Sequence, residues 1–598
     1  MTAALEPVEG RTAIPRSSAL ALRVLIGIAA VSPWAFGSVQ PWAMATIAGI
    51  ALLVVLEVSA HAAMTEGMVL PGLALWPLAG FAALGLLQLV PLPPVLQRLI
   101  APGSYAVWHP SNAAAATVLG DGWRPLSVFP TATVGWLDLA GGLALLAVLA
   151  APAASVPATA SRACGWIAAA GAAVSIFGVV AHVMAGNLLY GTIAVPTIAP
   201  FGPFVSKNHF AGYVVMAALL AAGFALGLGD RERSGPSALD WVQSPRAGRM
   251  LAAYAAVFAM ALGVLVSLSR GGVVSLLAGL ATLAALRWEF RRRRPHRVLA
   301  LAAPVVVAAM TMGLLIAVLP NEAHERIWSL TGATAEQSGS FRLQTWGDCL
   351  RAAWASPALG QGLGAFADAL ARFKTGWGQF RTEHAENDYL ELVVEGGVVA
   401  AVLLVALGSS TFGAGLGRLR AARGRLLRGV AAGGLAALVA TAVHSAVDFN
   451  LHNPSNAALL ASIVAVTMGA VSPRPPSRSR ALVVAAASAV LLGLLGDTLF
   501  AGFGAGPAGE VEMFRAAAAG SDRAYRLRLA RSEIALRHSI MRRPASAEAW
   551  LSLAWVVAAR GDRDAAGGLL DHARQLDPQW PELAAEVRRL RLQGPSRR

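Results

Sequence analysis

The chain has 598 residues, 56% of them hydrophobic and only 14% charged, and its net charge is +15. Soluble globular chains carry roughly 25% charged residues, so the composition excludes an ordinary soluble fold. The positive excess is carried by Arg in short segments between apolar runs, a topology signal rather than a nucleic-acid-binding surface. Two cysteines, Cys164 and Cys349, give no disulfide framework and no metal-ligand spacing.

Apolar runs of about 20 residues, enough for a helix to cross a bilayer, recur through most of the chain. Thirteen spans are expected, near 19–38, 41–61, 69–91, 132–153, 163–184, 210–229, 250–267, 272–289, 298–319, 389–411, 427–446, 455–472 and 480–500. The first is read as a retained span, because no convincing cleavage site follows it. The fold class expected is therefore all-α: a polytopic transmembrane bundle of about 12–13 spans with a small helical domain appended. Its divisions are a tail at 1–18, a membrane domain at 19–500 and a C-terminal helical domain at 501–598.

Basic segments fall on one side of this arrangement. They contain Arg11 and Arg16; Arg231, Arg233, Arg246 and Arg249; Arg291 to Arg294 with Arg297; Arg418 to Arg428; and Arg474 to Arg480. Short Arg-rich loops stay cytoplasmic, so the N-terminus is expected inside and the C-terminus outside. The outer side then receives 93–131, 185–209, 268–271, 321–388 and 447–454. Connections this long without regular structure are usually functional.

Polar residues concentrate in these outer segments. Lys207, one of only two lysines, precedes Asn208 and His209 at the mouth of the sixth span. A lysine there either snorkels to the headgroups or meets an anion. Arg270, in Ser-Arg-Gly-Gly, runs against the topology bias, and its planar fork suits a phosphate or carboxylate. A salt bridge within the bundle is the alternative reading. The 321–388 loop adds Arg326, Arg342, Arg351, Lys374 and Arg381. Arg342 with Trp346, and Arg351 with Trp354, have helical spacing, and 357–364 reads as a turn-rich stretch. The loop ends in His384, Glu386, Asn387 and Asp388, where Asn387 or Asp388 can cap the tenth span. Either His384 or Glu386 could accept a proton from a hydroxyl. One His beside carboxylates is a weak metal signal, so no metal and no cofactor are expected. His444, Asp448, Asn450, His452 and Asn453 cluster where the eleventh span exits.

Beyond 500, Gly504, Gly506, Pro507 and Gly509 form a linker. Trp550, Leu553, Ala554, Gly561, Ala566, Leu570, Ala573 and Pro578 then fall on the spacing of one tetratricopeptide repeat. Residues 511–543 are expected to form a degenerate partner helix pair. A lone repeat must stack on such a partner or on another protein.

Four blocks in order, Asn-His-Phe-Ala-Gly at 208–212, Ser-Arg-Gly-Gly at 269–272, Arg342 to Gly364, and His-Ala-Glu-Asn-Asp-Tyr-Leu-Glu-Leu-Val-Val-Glu-Gly-Gly at 384–397, resemble the O-antigen ligase and polymerase family. The likeness spans roughly 70–475, and His444 with Asp448 resembles a further family feature. It implies a membrane glycosyltransferase of the C type at the outer face of the bacterial inner membrane. The donor it implies is an undecaprenyl-diphosphate-linked glycan, the acceptor a glycan, lipid or protein, and the transfer metal-independent. On that footing Arg270, Arg342 and Lys207 would hold the diphosphate. Glu386 or His384 would be the base, with Asn208, His209, Asn387, Asp388, His444 and Asp448 in support. Family members often have Arg at the place of Lys207, and ligase-type members have His at the place of Glu386. Polymerase is therefore preferred over O-antigen ligase and over protein O-oligosaccharyltransferase. A lipid-linked sugar transporter would show internal repeats and broken mid-membrane helices, and an inactive assembly scaffold would lack convergence of the polar residues. Expected partners are the lipid-linked donor, the acceptor, membrane lipids and a protein met through the C-terminal helices, with no nucleic acid.

Overall fold

The computed structural model describes residues 16–291 and 333–585, apart from 66, 71–74, 196–198, 230–242, 377, 379–380, 423, 470–474, 505–511, 513–514, 516–520 and 584. The expected span at 298–319, Arg326 and most of the linker lie outside the described residues.

The described residues are helical with no β-sheet. In chain order the membrane part comprises α1 (Arg16–Val31), α2 (Pro41–Met64), α3 (Trp76–Leu89), α4 (Pro94–Ile100), α5 (Pro102–Trp108), α6 (Ala113–Leu119), α7 (Pro130–Ala150), α8 (Pro157–Ala185), α9 (Lys207–Gly229), α10 (Pro245–Val266) and α11 (Arg270–Arg291). It continues with α12 (Ala333–Trp354), α13 (Phe366–Ala371), α14 (Asp388–Ala421), α15 (Arg425–His444), α16 (Pro454–Met468) and α17 (Arg478–Gly504). The C-terminal helices are α18 (Asp522–Arg542), α19 (Ala547–Ala559) and α20 (Arg563–Leu576). Many begin with Pro at the first turn, where its missing N–H leaves no bond unmade.

Among the described residues ten helices are long and apolar enough to cross a membrane. α3 and α16, with 14 and 15 residues, are shorter. The chain is an all-α polytopic membrane protein. α1 stops at Val31 instead of running to 38: Pro33 interrupts the ladder, and Phe36, Gly37 and Ser38 all have positive φ. The 93–131 connection, read from sequence as irregular, contains α4, α5 and α6.

α9 is the central helix, with 94% of its apolar window buried. It meets α15 through glycines, because a Cβ on Gly223 would lie 2.4 Å from Gly429 O and one on Gly433 would lie 2.7 Å from Leu219 O. Without a hydrophobic driving force between helices in lipid, such close backbone approach is what holds a bundle together. Leu53, Val405 and Val483 are exposed on the outer helices, where lipid would cover them.

α18, α19 and α20 bury Trp550, Leu553, Ala554, Ala566, Leu570 and Ala573. α18 forms the second part of the expected 511–543 partner pair, most of whose first part lies outside the described residues. The hairpin is also covered by the chain's own loop: Trp108, Ala115 and Leu119 join its core, and Asn112 Nδ2 donates to Gly568 O at 2.9 Å. The loop before α14 is tied to the same domain, since Asp368 pairs with Arg543 at 2.6 Å and Arg381 with Glu548 at 3.0 Å.

Candidate functional site

The starts of α9, α11, α14 and α16 meet at one end of the bundle. Ser269 Oγ donates to Asn208 Oδ1 at 2.9 Å, joining α11 to α9. Asn456 Nδ2 donates to His209 O at 3.0 Å, joining α16 to α9. Asp388 N donates to Ser445 O at 2.9 Å, and Leu451 N to Asp388 Oδ2 at 3.2 Å, which brings in the segment after α15. Helix N-termini carry partial positive charge, so this convergence favours an anion.

Arg270 is exposed at the first residue of α11. The glycines after it serve helix packing: a Cβ on Gly271 would stand 3.2 Å from His444 Nε2, and one on Gly272 would stand 2.6 Å from Ala211 Cβ. Lys207 is half-buried at the start of α9, its N–H donating to Ala199 O at 2.9 Å. The helical spacing of Arg342 and Trp346 is real and turns both toward the loop end. Arg342 Nη2 bonds Glu386 Oε2 at 2.9 Å, and Trp346 Nε1 donates to Ala385 O at 3.0 Å. Arg351 and Arg381 are engaged elsewhere, Arg351 with Asp348 and Arg381 with Asp368, Glu383 and Glu548.

Glu386 has φ 54°, in the left-handed region. Holding a non-glycine residue there costs on the order of 1–3 kcal/mol and is seen most at functional sites. Burial raises the Glu386 carboxyl above the usual range, and the Asp448 charge adds to this, while Arg342 and His384 oppose it. Asn387, not Asp388, caps α14: its Oδ1 accepts from Tyr389 N and Leu390 N, and its Nδ2 donates to Ala446 O at 2.9 Å. Asp388 instead bonds His452 Nδ1 at 2.8 Å.

His384 lies flat on Phe449, ring centroids 4.0 Å apart, and His209 meets the other side of the site edge-on to the same ring at 4.5 Å. His384 Nδ1 bonds Glu391 Oε1 at 2.8 Å. A carboxylate on one ring nitrogen fixes the tautomer and leaves the other nitrogen available as acceptor. His209 is buried, and its Nε2 has no hydrogen-bond partner among the described residues. His444 Nε2 lies 3.4 Å from Asp448 Oδ2, and both residues are buried. Burial disfavours the Asp448 carboxylate, but His444 and the charge of His209 outweigh it and hold its pKa below the ordinary value.

Glu391 was not picked out from the sequence, and His452 was noted only as part of a cluster. Both are central: Glu391 also accepts from Ala385 N at 2.9 Å and lies 3.2 Å from His452 Nε2. The signal was an ionisable residue inside an apolar run. Ligand atoms of His384, Glu391 and His452 lie within 4.8 Å of one another, and these side-chain types can bind metal. Both nitrogens of His452, however, face carboxylates, the pattern of a doubly protonated ring with no lone pair to offer. Burial would depress the His452 pKa, yet Glu391 and Asp388 together carry it up to about 10.

Residues 255–405 match a family model described as O-Antigen ligase, a stretch that contains Arg270, Arg342, His384 and Glu386. No curated protein matches the chain. With the helical bundle, this makes the molecule a multi-pass membrane enzyme of glycan assembly, of the ligase and polymerase type. Over those residues the chain is similar to the O-antigen ligase family.

Proposed function

We propose that the chain is a polysaccharide polymerase, transferring undecaprenyl-diphosphate-linked oligosaccharide to a growing glycan at the periplasmic face of the inner membrane. The observation that carries this reading is the meeting of Arg270, Lys207 and the Arg342–Glu386 pair with four helix N-termini at one mouth. In the reaction an acceptor hydroxyl oxygen bonds to the anomeric carbon, the bond from that carbon to the diphosphate breaks, and the lipid diphosphate leaves. Fixed cations and helix dipoles would stabilise the negative charge that develops on the leaving group, with no metal required. The N-terminus would lie in the cytoplasm, and the C-terminal helices outside with the mouth.

Arg342 cannot be an idle diphosphate clamp, because it holds Glu386. Donor binding at Arg342 would release Glu386 from its counter-ion and strengthen it as a base for the acceptor proton. His384 is the second candidate for the proton, favoured by its bond to Glu391. The role of O-antigen ligase uses the same geometry and is favoured by the description of the matching family.

Arg270→Ala tests the reading. Polymer should disappear while membrane insertion and helicity persist; polymer of normal length in that variant would remove Arg270 from the mechanism. A chelator should leave transfer unchanged, and activity recovered only by adding a divalent cation would overturn the metal-free scheme.

A further inference from the structure

A second concave site lies away from the mouth, where the loop before α14 meets the C-terminal helices. It is a cavity of about 220 Å³, walled by Asp368 and Arg381 on the loop side and by Glu548, Asp577 and Trp580 on the other. Its frame is cross-braced. Asp368 takes Arg381 at 3.0 Å and Arg543 at 2.6 Å, while Arg381 also takes Glu548 at 3.0 Å. The remaining walls are small, with Ala367, Ala371, Ala545 and Ala547 leaving room at the centre.

Two features of this cavity are not explained by the brace. Asp577 Oδ1 is buried with no hydrogen-bond partner among the described residues. Leaving such an atom unsatisfied costs roughly 1–3 kcal/mol, and burial raises the Asp577 carboxyl above its ordinary range. Trp580, only partly buried against the hairpin core, gives the cavity an aromatic wall. An aromatic face beside a few convergent polar groups is the usual make-up of a small-molecule pocket.

We propose that this seam is an acceptor subsite that binds a neutral, hydroxyl-rich segment of glycan, an inference that rests on the glycosyltransferase reading above. Sugar hydroxyls would donate to the carboxylates of Asp577 and Glu548 that line the cavity, and a ring face would lie on Trp580. Polyanionic segments are disfavoured, because three carboxylates line the cavity and its one lining cation, Arg381, is committed to Asp368 and Glu548. Arg381 is five residues before Glu386, a separation of at most about 18 Å for an extended chain. A few linked sugars span that distance, so a glycan held at the seam can present its end at the mouth.

The test uses the full chain in lipid vesicles. The donor is lipid-linked oligosaccharide extracted from cells lacking the protein, and the acceptor is size-fractionated glycan from wild-type cells. Asp577→Asn and Trp580→Ala should each raise the acceptor concentration for half-maximal transfer about tenfold, the effect of losing one good contact, with donor dependence unchanged. Trp580→Phe should stay near wild type, because it keeps an aromatic face. Unchanged acceptor dependence in both Asp577→Asn and Trp580→Ala would overturn the subsite, as would equal impairment of Trp580→Phe and Trp580→Ala with Asp577→Asn normal. The wild-type chain is run beside them: no transfer there defeats the glycosyltransferase reading itself, whereas wild-type transfer with the seam variants normal defeats only the subsite.

Discussion

Glu386 is held in a backbone conformation that its side chain does not favour, paired with Arg342 at 2.9 Å. If it is the base, it works only when deprotonated, so transfer falls as pH drops through its raised pKa. Arg342 opposes that rise, and removing it should push the acid limb of the rate profile to higher pH. Arg342→Gln is expected to show this shift together with weaker donor dependence; an acid limb that stays in place would detach Glu386 from the proton transfer. Glu386→Gln should cost on the order of 10²–10⁴-fold in rate, the usual worth of a general base. If that variant stays active and His384→Ala does not, the proton goes to His384 with Glu391 orienting it.

His452 makes a stability prediction of opposite pH sense. Its folded pKa of about 10 lies above the unfolded value of roughly 6.5. The stabilisation is therefore complete below the unfolded value and disappears as pH rises through the folded one. The apparent thermal midpoint should fall between pH 7 and pH 10 (roughly the span of that titration), and His452→Gln should flatten the dependence while lowering stability by about 3–5 kcal/mol. A midpoint that does not change with pH in the wild-type chain would mean that His452 is neutral between its carboxylates.

At the scale of elements, the turn-rich segment at 357–364 shows how much the sequence disclosed. Gly360, Gly362 and Gly364 all have positive φ, as a run of alternating glycines suggests. What the sequence did not show is why the turn is there. It wedges into a break in α14 at Gly397, where Val398 N donates to Pro357 O at 2.8 Å. That bond satisfies a backbone group which a broken helix would leave bare. A Cβ on Gly360 would meet the backbone of Glu395 at 2.2 Å. Gly360→Ala should then destabilise the chain by at least about 2 kcal/mol, seen as a lower thermal midpoint; an unchanged midpoint would show that the wedge is soft. Similar reasoning explains where the reading of spans succeeded and where it slipped. Long apolar runs gave α2, α7, α8 and α9 directly. The early end of α1 and the short helices α4 to α6 depend on turns and on contacts with distant segments, which hydropathy does not encode. Arg342 was legible because its helical spacing with Trp346 is local. Glu391 was hidden because its histidine partners come from both sides of a helix start, and one of them lies 61 residues away in sequence.

For the whole molecule, the C-terminal helices are not a free appendage. They share a core with Trp108, Ala115 and Leu119, and they hold the strap that carries His384 and Glu386 through Asp368, Arg381, Arg543 and Glu548. Repeat spacing in the sequence suggested a surface for another protein, but part of that surface is taken by the chain's own loop. In the polymerase reading proposed above, the mouth joins lipid-linked units to one another. That reading is tested most directly by removing the protein from its cells and analysing the glycans that accumulate on the lipid carrier. Single lipid-linked repeat units, with polymer absent, are the expected result. Full-length polymer left on its lipid carrier would contradict polymerisation and assign the same site to ligation.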